Sequence, residues 1–516
     1  PAVLRRGGNA ASADVRPNFT AADINKRVWL AGTDGWMALP PIPAPNPIAA
    51  YAPDPLAPEG LAFYNYGFRQ IPNDAFGAIP ADPFPRTRPD GTAFPTRRDF
   101  MDSLKGETQN ASPLLVFDEY DPDTNTGDKI QLRLSNLGWV VRPDIPDGHT
   151  LHWHGFPNAI PWFDGVPEMS AGAPIGKDLY YFYAPVDPGT FMYHCHWEDV
   201  EHIQMGMTGV VFVRPKQNRF GYGASPATNG TRGKTYAYND GDGSTRYDRE
   251  FAFILMDFDL RQHWKLAHIQ QPDWTEYDAN AWAINGRAYP DSLQPNTDPY
   301  PAEATTVRIA AGPTATSVRV NGQPSIGPAV INGQAVRVKS WSKPAGNNGW
   351  IANLWAALGA NAPVNSPVTF RGDRLEYQPL SSRITCMPGE KVLLRFANLG
   401  YQRHPMTSTG IPLKVIGRDA NLLRGADGTD LSFTTNVLPV APGQAWDAIF
   451  TAPTYTGGSG TSGKGYDRYL IYDRDLANDV GGGDFGGLAT EVHVFPAGTL
   501  QPQSQPNGDG GAAPVS

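Results

Sequence analysis

Charge is scarce in this 516-residue chain: Lys and Arg total 42, Asp and Glu total 51, and the formal net charge is −9. That balance excludes a basic nucleic-acid surface and argues against docking on an anionic membrane. No run approaches 18 consecutive apolar residues, so no helix is expected to span a bilayer. Long stretches free of helix breakers are missing too, because 55 glycines and 50 prolines punctuate the chain, which excludes a helical bundle or coiled coil. Cysteine is nearly absent: Cys195 and Cys386 are the only two, enough for one disulfide but not for a disulfide framework. What remains is 40% apolar and 11% aromatic, sufficient for a sizeable core. The chain begins at Pro1 without a Met or an apolar leader. A processed, exported form is the expectation, giving a secreted, extracellular or periplasmic location.

The pattern along the chain is β. Residues 1–110 are rich in Pro, Ala and aromatics without periodicity and read as an irregular N-terminal extension. From Leu114–Phe117 and the alternating Ile130–Leu134 to Gly209–Val213, short strand-like runs alternate with Pro/Gly turns, defining a domain over 111–216. Residues 217–249 read as a linker. A second β region covers 250–498, with strands expected at Phe251–Met256, Lys391–Phe396, Leu413–Ile416 and Ala489–Phe495. It carries a long insertion at about 301–383, in which Trp350–Ala360 reads as the one helical segment. Residues 499–516 read as a flexible tail. The fold class is therefore all-β: two Greek-key β-sandwich domains, an irregular extension and an insertion in the second domain.

Between His149 and Met207, 59 positions hold six of the ten histidines and Cys195. The first group is His149-Thr-Leu-His152-Trp-His154. The second is His194-Cys195-His196, followed by His202, Met205 and Met207. Residues two apart on a strand share a face, so His152 and His154 project together, as do His194 and His196, with Cys195 opposite. His149 has the other parity from His152 and His154, which puts it on the side of Cys195. His149, Cys195 and His202 with a nearby Met make the His₂Cys-plus-Met set of a blue copper site. The other four imidazoles suit a second copper centre. A lone histidine is usually structural; two H-x-H patterns, one enclosing Cys, are not explained that way. Zinc is the rival metal, but structural zinc draws on two or more cysteines, and copper is favoured.

Thr150-Leu-His-Trp-His-Gly-Phe-Pro, Asp164-Gly-Val-Pro and Pro188-Gly-Thr-Phe-Met-Tyr-His-Cys-His together resemble the first cupredoxin domain of multicopper oxidases. Pro388-Gly-Glu-Lys-Val, Val415-Ile-Gly-Arg-Asp419, Val440-Ala-Pro-Gly-Gln444 and Asn285-Gly-Arg-Ala-Tyr-Pro-Asp291 are similar to that family's copper-free second domain. The resemblance implies cupredoxin domains and a copper-dependent oxidoreductase, a laccase-like copper oxidase. His149, Cys195 and His202 would hold a type 1 copper that takes single electrons from a small-molecule or metal-ion reductant. Met207 would be its axial ligand, with Met205 the alternative. His194 and His196 would carry electrons from Cys195 to a second centre that reduces dioxygen. His152 would be a type 2 ligand, and His154, His194 and His196 type 3 ligands. Asp164 would be a carboxylate assisting proton delivery.

Two departures qualify that expectation. The interval from Cys195 to His202 is seven positions where the family has five; the excess is expected to bulge, leaving Glu198, Asp199 and Glu201 either in a solvated loop or as a docking patch for a cationic reductant. The family's trinuclear cluster also needs eight histidines, and this first domain supplies four. In the second domain Thr407 and Thr409 follow His404 where histidines would be needed, and Tyr472-Asp473-Arg474 stands where His-Cys-His could have been. His263, His268 and His493 read as structural. The cluster could be completed by a homo-oligomer, by a mono- or dinuclear site using His404 of a neighbour, or be vestigial. The alternative function is a non-catalytic copper-binding electron-transfer or structural assembly protein.

Overall fold

The computed structural model describes residues 23–40, 47–58, 60–71, 96–157, 160–220, 235–297, 305–322, 327–342, 344, 349–354, 356–370, 375–458, 465–475, 478 and 487–508. Its first sandwich contains β1 (Lys26–Met37), β2 (Phe63–Ile71), β3 (Leu115–Asp118), β4 (Ile130–Gly138), β5 (His152–His154), β6 (Asp178–Tyr183), β7 (Gly189–His194) and β8 (Thr208–Arg214). One sheet runs β2-β1-β4-β6 and the other β3-β8-β7-β5. In the first, β1 is parallel to β4; in the second, β3 is parallel to β8. Between the sheets lies an aromatic core that includes Tyr66, Trp139, Trp153, Tyr181, Tyr183 and Tyr193.

Strands β1 and β2 correct the expectation of an irregular extension. They pair over nine positions, Trp29 to Met37 against Ile71 to Phe63, and nearly every residue in both is buried. With both faces covered, neither strand shows the polar alternation of a one-sided strand. The calls on residues 1–22 and 72–95 lie outside the described residues.

The second sandwich repeats the plan. Arg249–Phe258 runs parallel to Lys391–Asn398, which pairs antiparallel with Ala445–Thr451. Its other sheet holds Ile384–Cys386, parallel to Ala489–Val494, then Asp467–Asp473, His404–Ser408 and Val437–Val440. The two sandwiches share a core in which Met192, Val210 and Phe212 meet Ala252, Ile254 and Met256. Each large apolar side chain sealed there contributes roughly 1.5–3 kcal/mol. Thr190 Oγ1 adds a polar tie, donating to Asp447 at 2.6 Å and accepting from Arg395 at 3.0 Å.

Three further expectations are corrected. The segment read as a linker holds the helix Gln217–Phe220 and two short paired strands, Thr235–Tyr236 and Arg246–Tyr247; Tyr238 and Tyr247 are buried against Leu393 and Ile416. The insertion forms a six-stranded sheet, which a bridge between Val307 and Val320 closes on itself around its own apolar core. Trp350–Leu354 is a strand of that barrel, with Ala352 and Leu354 inward and Ile351 and Asn353 half-buried, a period of two and not a helix. In the tail, Asn507 is buried and bonds the backbone of Ala252 and Ser381; residues 509–516 lie outside the described set. Cys195 and Cys386 are both buried and not disulfide-bonded. No helix among the described residues is long and apolar enough to cross a membrane.

Candidate metal centres

Register places the motif residues. In the β5–β7 pair His152 lies opposite His194, Trp153 opposite Tyr193 and His154 opposite Met192. Trp153 and Tyr193 enter the first-sandwich core, while Met192 packs into the core shared with the second sandwich. The imidazoles of His152, His154 and His194 therefore share the face turned toward the second sandwich. A Cβ added at Gly443, in that sandwich, would lie 3.5 Å from the His154 ring. Cys195, one residue beyond β7, returns to the inner face.

On that inner face His149 Nδ1, Cys195 Sγ and His202 Nδ1 converge. Sγ lies 3.2 Å from His202 Nδ1 and 4.0 Å from His149 Nδ1. One donor atom from each of the three residues lies within 4.8 Å of the others, and all three residues are buried. Met207 joins this cradle: a Cβ on Gly32 would meet His149 Cδ2 at 2.5 Å and Met207 Cε at 3.1 Å. Glycine in β1 is thus what leaves room for both. Met205 is buried as well, and its carbonyl accepts from the Tyr66 amide. Trp139 stacks on Tyr66 and packs its ring 4.9 Å from that of His149.

The electrostatics of this pocket are divided. Burial, then the charge of His202, holds the His149 imidazole well below the usual histidine range. His202 is pulled up to about 10: burial opposes the charged form, but the Cys195 sulfur and the Asp147 carboxylate outweigh it. His202 Nε2 is 3.3 Å from Asp147 Oδ2, so Nδ1 is the nitrogen left to face the sulfur. Asp147 was not singled out from the sequence; its place two residues before His149 was the available signal. Glu201 also approaches Asp147 and His202, and burial raises its carboxyl.

Glu201 corrects the expected bulge. The two extra residues are absorbed by one helical turn, Asp199–Gln204, preceded by Glu198 in the left-handed region at φ 46°. Glu198 stays exposed, while Glu201 and His202 are drawn inward.

The outer cluster is looser. Ring centroids of His152 lie 5.2 Å from His194, 5.3 Å from His196 and 5.9 Å from His154. Donor atoms of His152, His154 and His194 fall within 4.8 Å of one another. His196 stands beside them, its Nδ1 3.9 Å from Asp199. Carbonyl oxygens can only accept, so His152 Nδ1–H donates to Asp164 O at 2.7 Å and His194 Nδ1–H to Cys195 O at 2.9 Å. Both rings thereby present Nε2 to the cluster. Burial drives His194 down to about 3, and burial with the neighbouring His152 lowers His154. The Asp164 carboxylate sits 3.6 Å from His152 Nδ1, and the two side chains are 31% and 18% exposed.

Residues with no place in either cluster are accounted for. His404 is enclosed between Asp257 and Asp473, so both its nitrogens are taken and it is no ligand for a neighbour. His263 bonds the Tyr64 carbonyl, His268 pairs with Asp54 and His493 with Glu491.

Donor chemistry fits copper at the inner site: a thiolate, two imidazoles and a buried thioether are the soft set of a blue copper centre. The fold with this pattern of side chains is of the cupredoxin type, two β-sandwiches in one chain. Residues 123–218 match the family model described as multicopper oxidase, which supports copper oxidoreductase chemistry in general. No curated protein sequence matches the chain. Among solved structures, the multicopper oxidase mgLAC is 15% identical, with 92% of this chain and 87% of that one covered and a TM-score of 0.48. The blue copper oxidase from Nitrosomonas europaea is 14% identical, with 93% and 89% covered and a TM-score of 0.48. The copper nitrite reductase from the same organism is 13% identical, with 94% and 98% covered and a TM-score of 0.43.

Proposed function

We propose that the protein is an exported copper oxidoreductase that takes single electrons from a reductant at the inner site and delivers them to dioxygen at the outer, His-rich site. One observation carries the reading: His194, Cys195 and His196 are consecutive, yet Cys195 lies with His149 and His202 while His194 and His196 lie with His152 on the other face. A covalent path of a few bonds joins the sites. Copper, when bound, would supply reversible one-electron chemistry at both.

The chain's own residues then have defined tasks. His149, Cys195, His202 and Met207 hold the inner ion in a dry pocket, with Asp147 fixing the His202 ring. His152, His154, His194 and His196 hold the outer one. Asp164, partly exposed beside His152, is positioned to pass protons inward from solvent.

The outer site is short of ligands, and completion by a second protomer is the resolution we favour. The open side supports it: the His196 side chain is 29% exposed, and the nearby turn Pro161–Phe163 exposes Ile160 and Trp162, with Met169 beyond it. Exposed apolar side chains beside a polar, half-built site are what an interface needs. Copper content measured together with solution mass tests this. More than one copper per chain in an oligomer is expected. One copper per monomer, with no oxygen uptake on phenolic or ferrous reductants, would leave an electron carrier instead.

A further inference from the structure

The second sandwich reproduces the backbone frame of the inner metal site. In the first, Asn136 Oδ1 accepts from the Gly138 amide; in the second, Asn398 Oδ1 accepts from Gly400. Those asparagines pair with Gly32 and Leu255 in the parallel registers, which makes Asp34 and Asp257 equivalent, two residues on. Each accepts from two successive amides, Val140 and Val141 for Asp34, Tyr401 and Gln402 for Asp257. Each also accepts a tyrosine hydroxyl, from Tyr64 and Tyr277.

The other sheets agree. His152 pairs with His194 and Thr407 with Tyr472. Counting three residues back from the first of each pair gives His149 and His404. Counting one forward from the second gives Cys195 and Asp473. The imidazole survives, the thiol has become a carboxylate, and no ligand-compatible gap is left: His404 Nδ1 is 2.8 Å from Asp473 Oδ2 and Nε2 is 3.1 Å from Asp257 Oδ2.

The protonation state follows from the donor count. Asp257 accepts from Tyr401, Gln402 and Tyr277, and Asp473 from Asn478 and the Asp475 amide, so donors bond both carboxylates. A neutral imidazole can donate from only one nitrogen, and His404 faces a carboxylate at each. We propose that His404 is an imidazolium at neutral pH, standing in the second sandwich at the place that, on the function proposed above, would take the inner metal in the first, so that one domain would be clamped by a metal and the other by a proton. The clamp joins Arg249–Phe258, His404–Ser408 and Asp467–Asp473, strands from both sheets. Paired charges raise the His404 pKa against the effect of burial, in keeping with that role. Removing one carboxylate would leave His404 with a single anionic partner and one N–H facing no anion.

The first test needs no copper. In full-length protein labelled with ¹⁵N-histidine and assigned with His404→Gln, His404 should show a doubly protonated ring at pH 7; a neutral ring there overturns the proposal. Asp473→Asn, which keeps the shape, should move the His404 titration to lower pH, and an unmoved titration also overturns it. The equivalence of place has its own test, in the Cys195→Ser chain, which lacks the inner thiolate. Adding Asp473→Cys and Asn478→His should give a cobalt(II)–thiolate absorption absent from the Cys195→Ser parent. A folded variant, by circular dichroism, with no such band refutes the equivalence.

Discussion

Cys195 and its neighbours His194 and His196 differ by one position in sequence and by almost everything in environment. The inner cluster is sealed, with His149, Cys195 and His202 all at 0% exposure. The outer cluster lies open along one side. A strand's alternation separates the two by the thickness of a single peptide, so one short run of backbone serves both. Burial sorts their chemistry: a dry thiolate pocket suits an ion that changes charge without changing ligands, whereas an open ring of imidazoles suits one that exchanges a small molecule.

The sharpest way to break this contrast is to remove the residue that belongs to one face alone. Cys195→Ser should abolish the intense visible absorption of the copper-loaded protein altogether, measured at matched protein concentration. If the colour persists, the inner assignment fails. His152→Ala should do the converse: the colour stays, copper per chain drops, and oxygen uptake falls to background. Loss of both signals together would mean that the faces are not independent.

A subtler change is Gly32→Ala. The new Cβ would press on His149 Cδ2 at 2.5 Å, an overpacking expected to cost about 1–3 kcal/mol. It should lower the unfolding midpoint and shift the visible spectrum while leaving copper at the outer cluster unchanged.

The last effect is a pH slope. In metal-free protein, burial holds His194 at about 3 against an ordinary 6.5, so the unfolded chain takes up a proton there that the folded chain refuses. Stability from this group is intact above 6.5 and falls as pH drops toward 3, by about 1.4 kcal/mol per unit. His404 acts with the opposite sign: its raised pKa contributes fully below 6.5 and is lost as pH rises through the folded value. Urea unfolding of the metal-free chain at pH 7, 6 and 5 should show the decline, and His194→Asn should make it shallower, with His149 and His154, also held low by burial, supplying the rest.

The metal residues were legible because strand parity writes two faces directly into H-x-H and H-C-H, and because soft ligands rarely cluster by accident. Other parts were not, for physical reasons. The strand Lys26–Met37 carries Thr33-Asp34-Gly35, residues typical of turns; they lie in a strand because Asp34 is satisfied by a tyrosine 30 residues on and two amides 106 and 107 residues on. Its partner β4 is remote in sequence, and parallel pairing leaves no hairpin signal between them. Trp350–Leu354 looked helical because a short run of Trp, Ile, Ala and Leu does not fix a period. Glu201 was unreadable in principle, since only the helical turn decides which of three successive acids points inward.

The closed barrel inserted in the second sandwich has a consequence of another kind. Thr306 sits opposite Pro367, so the chain arrives at the barrel and departs from it at neighbouring points. The barrel carries its own core and, among the described residues, supplies no strand to either sandwich sheet. It hangs on the fold like a bead on a loop of thread: it can be swapped, trimmed or used to display a foreign sequence while the strand order of both sandwiches, and the two clusters they frame, stays as it is.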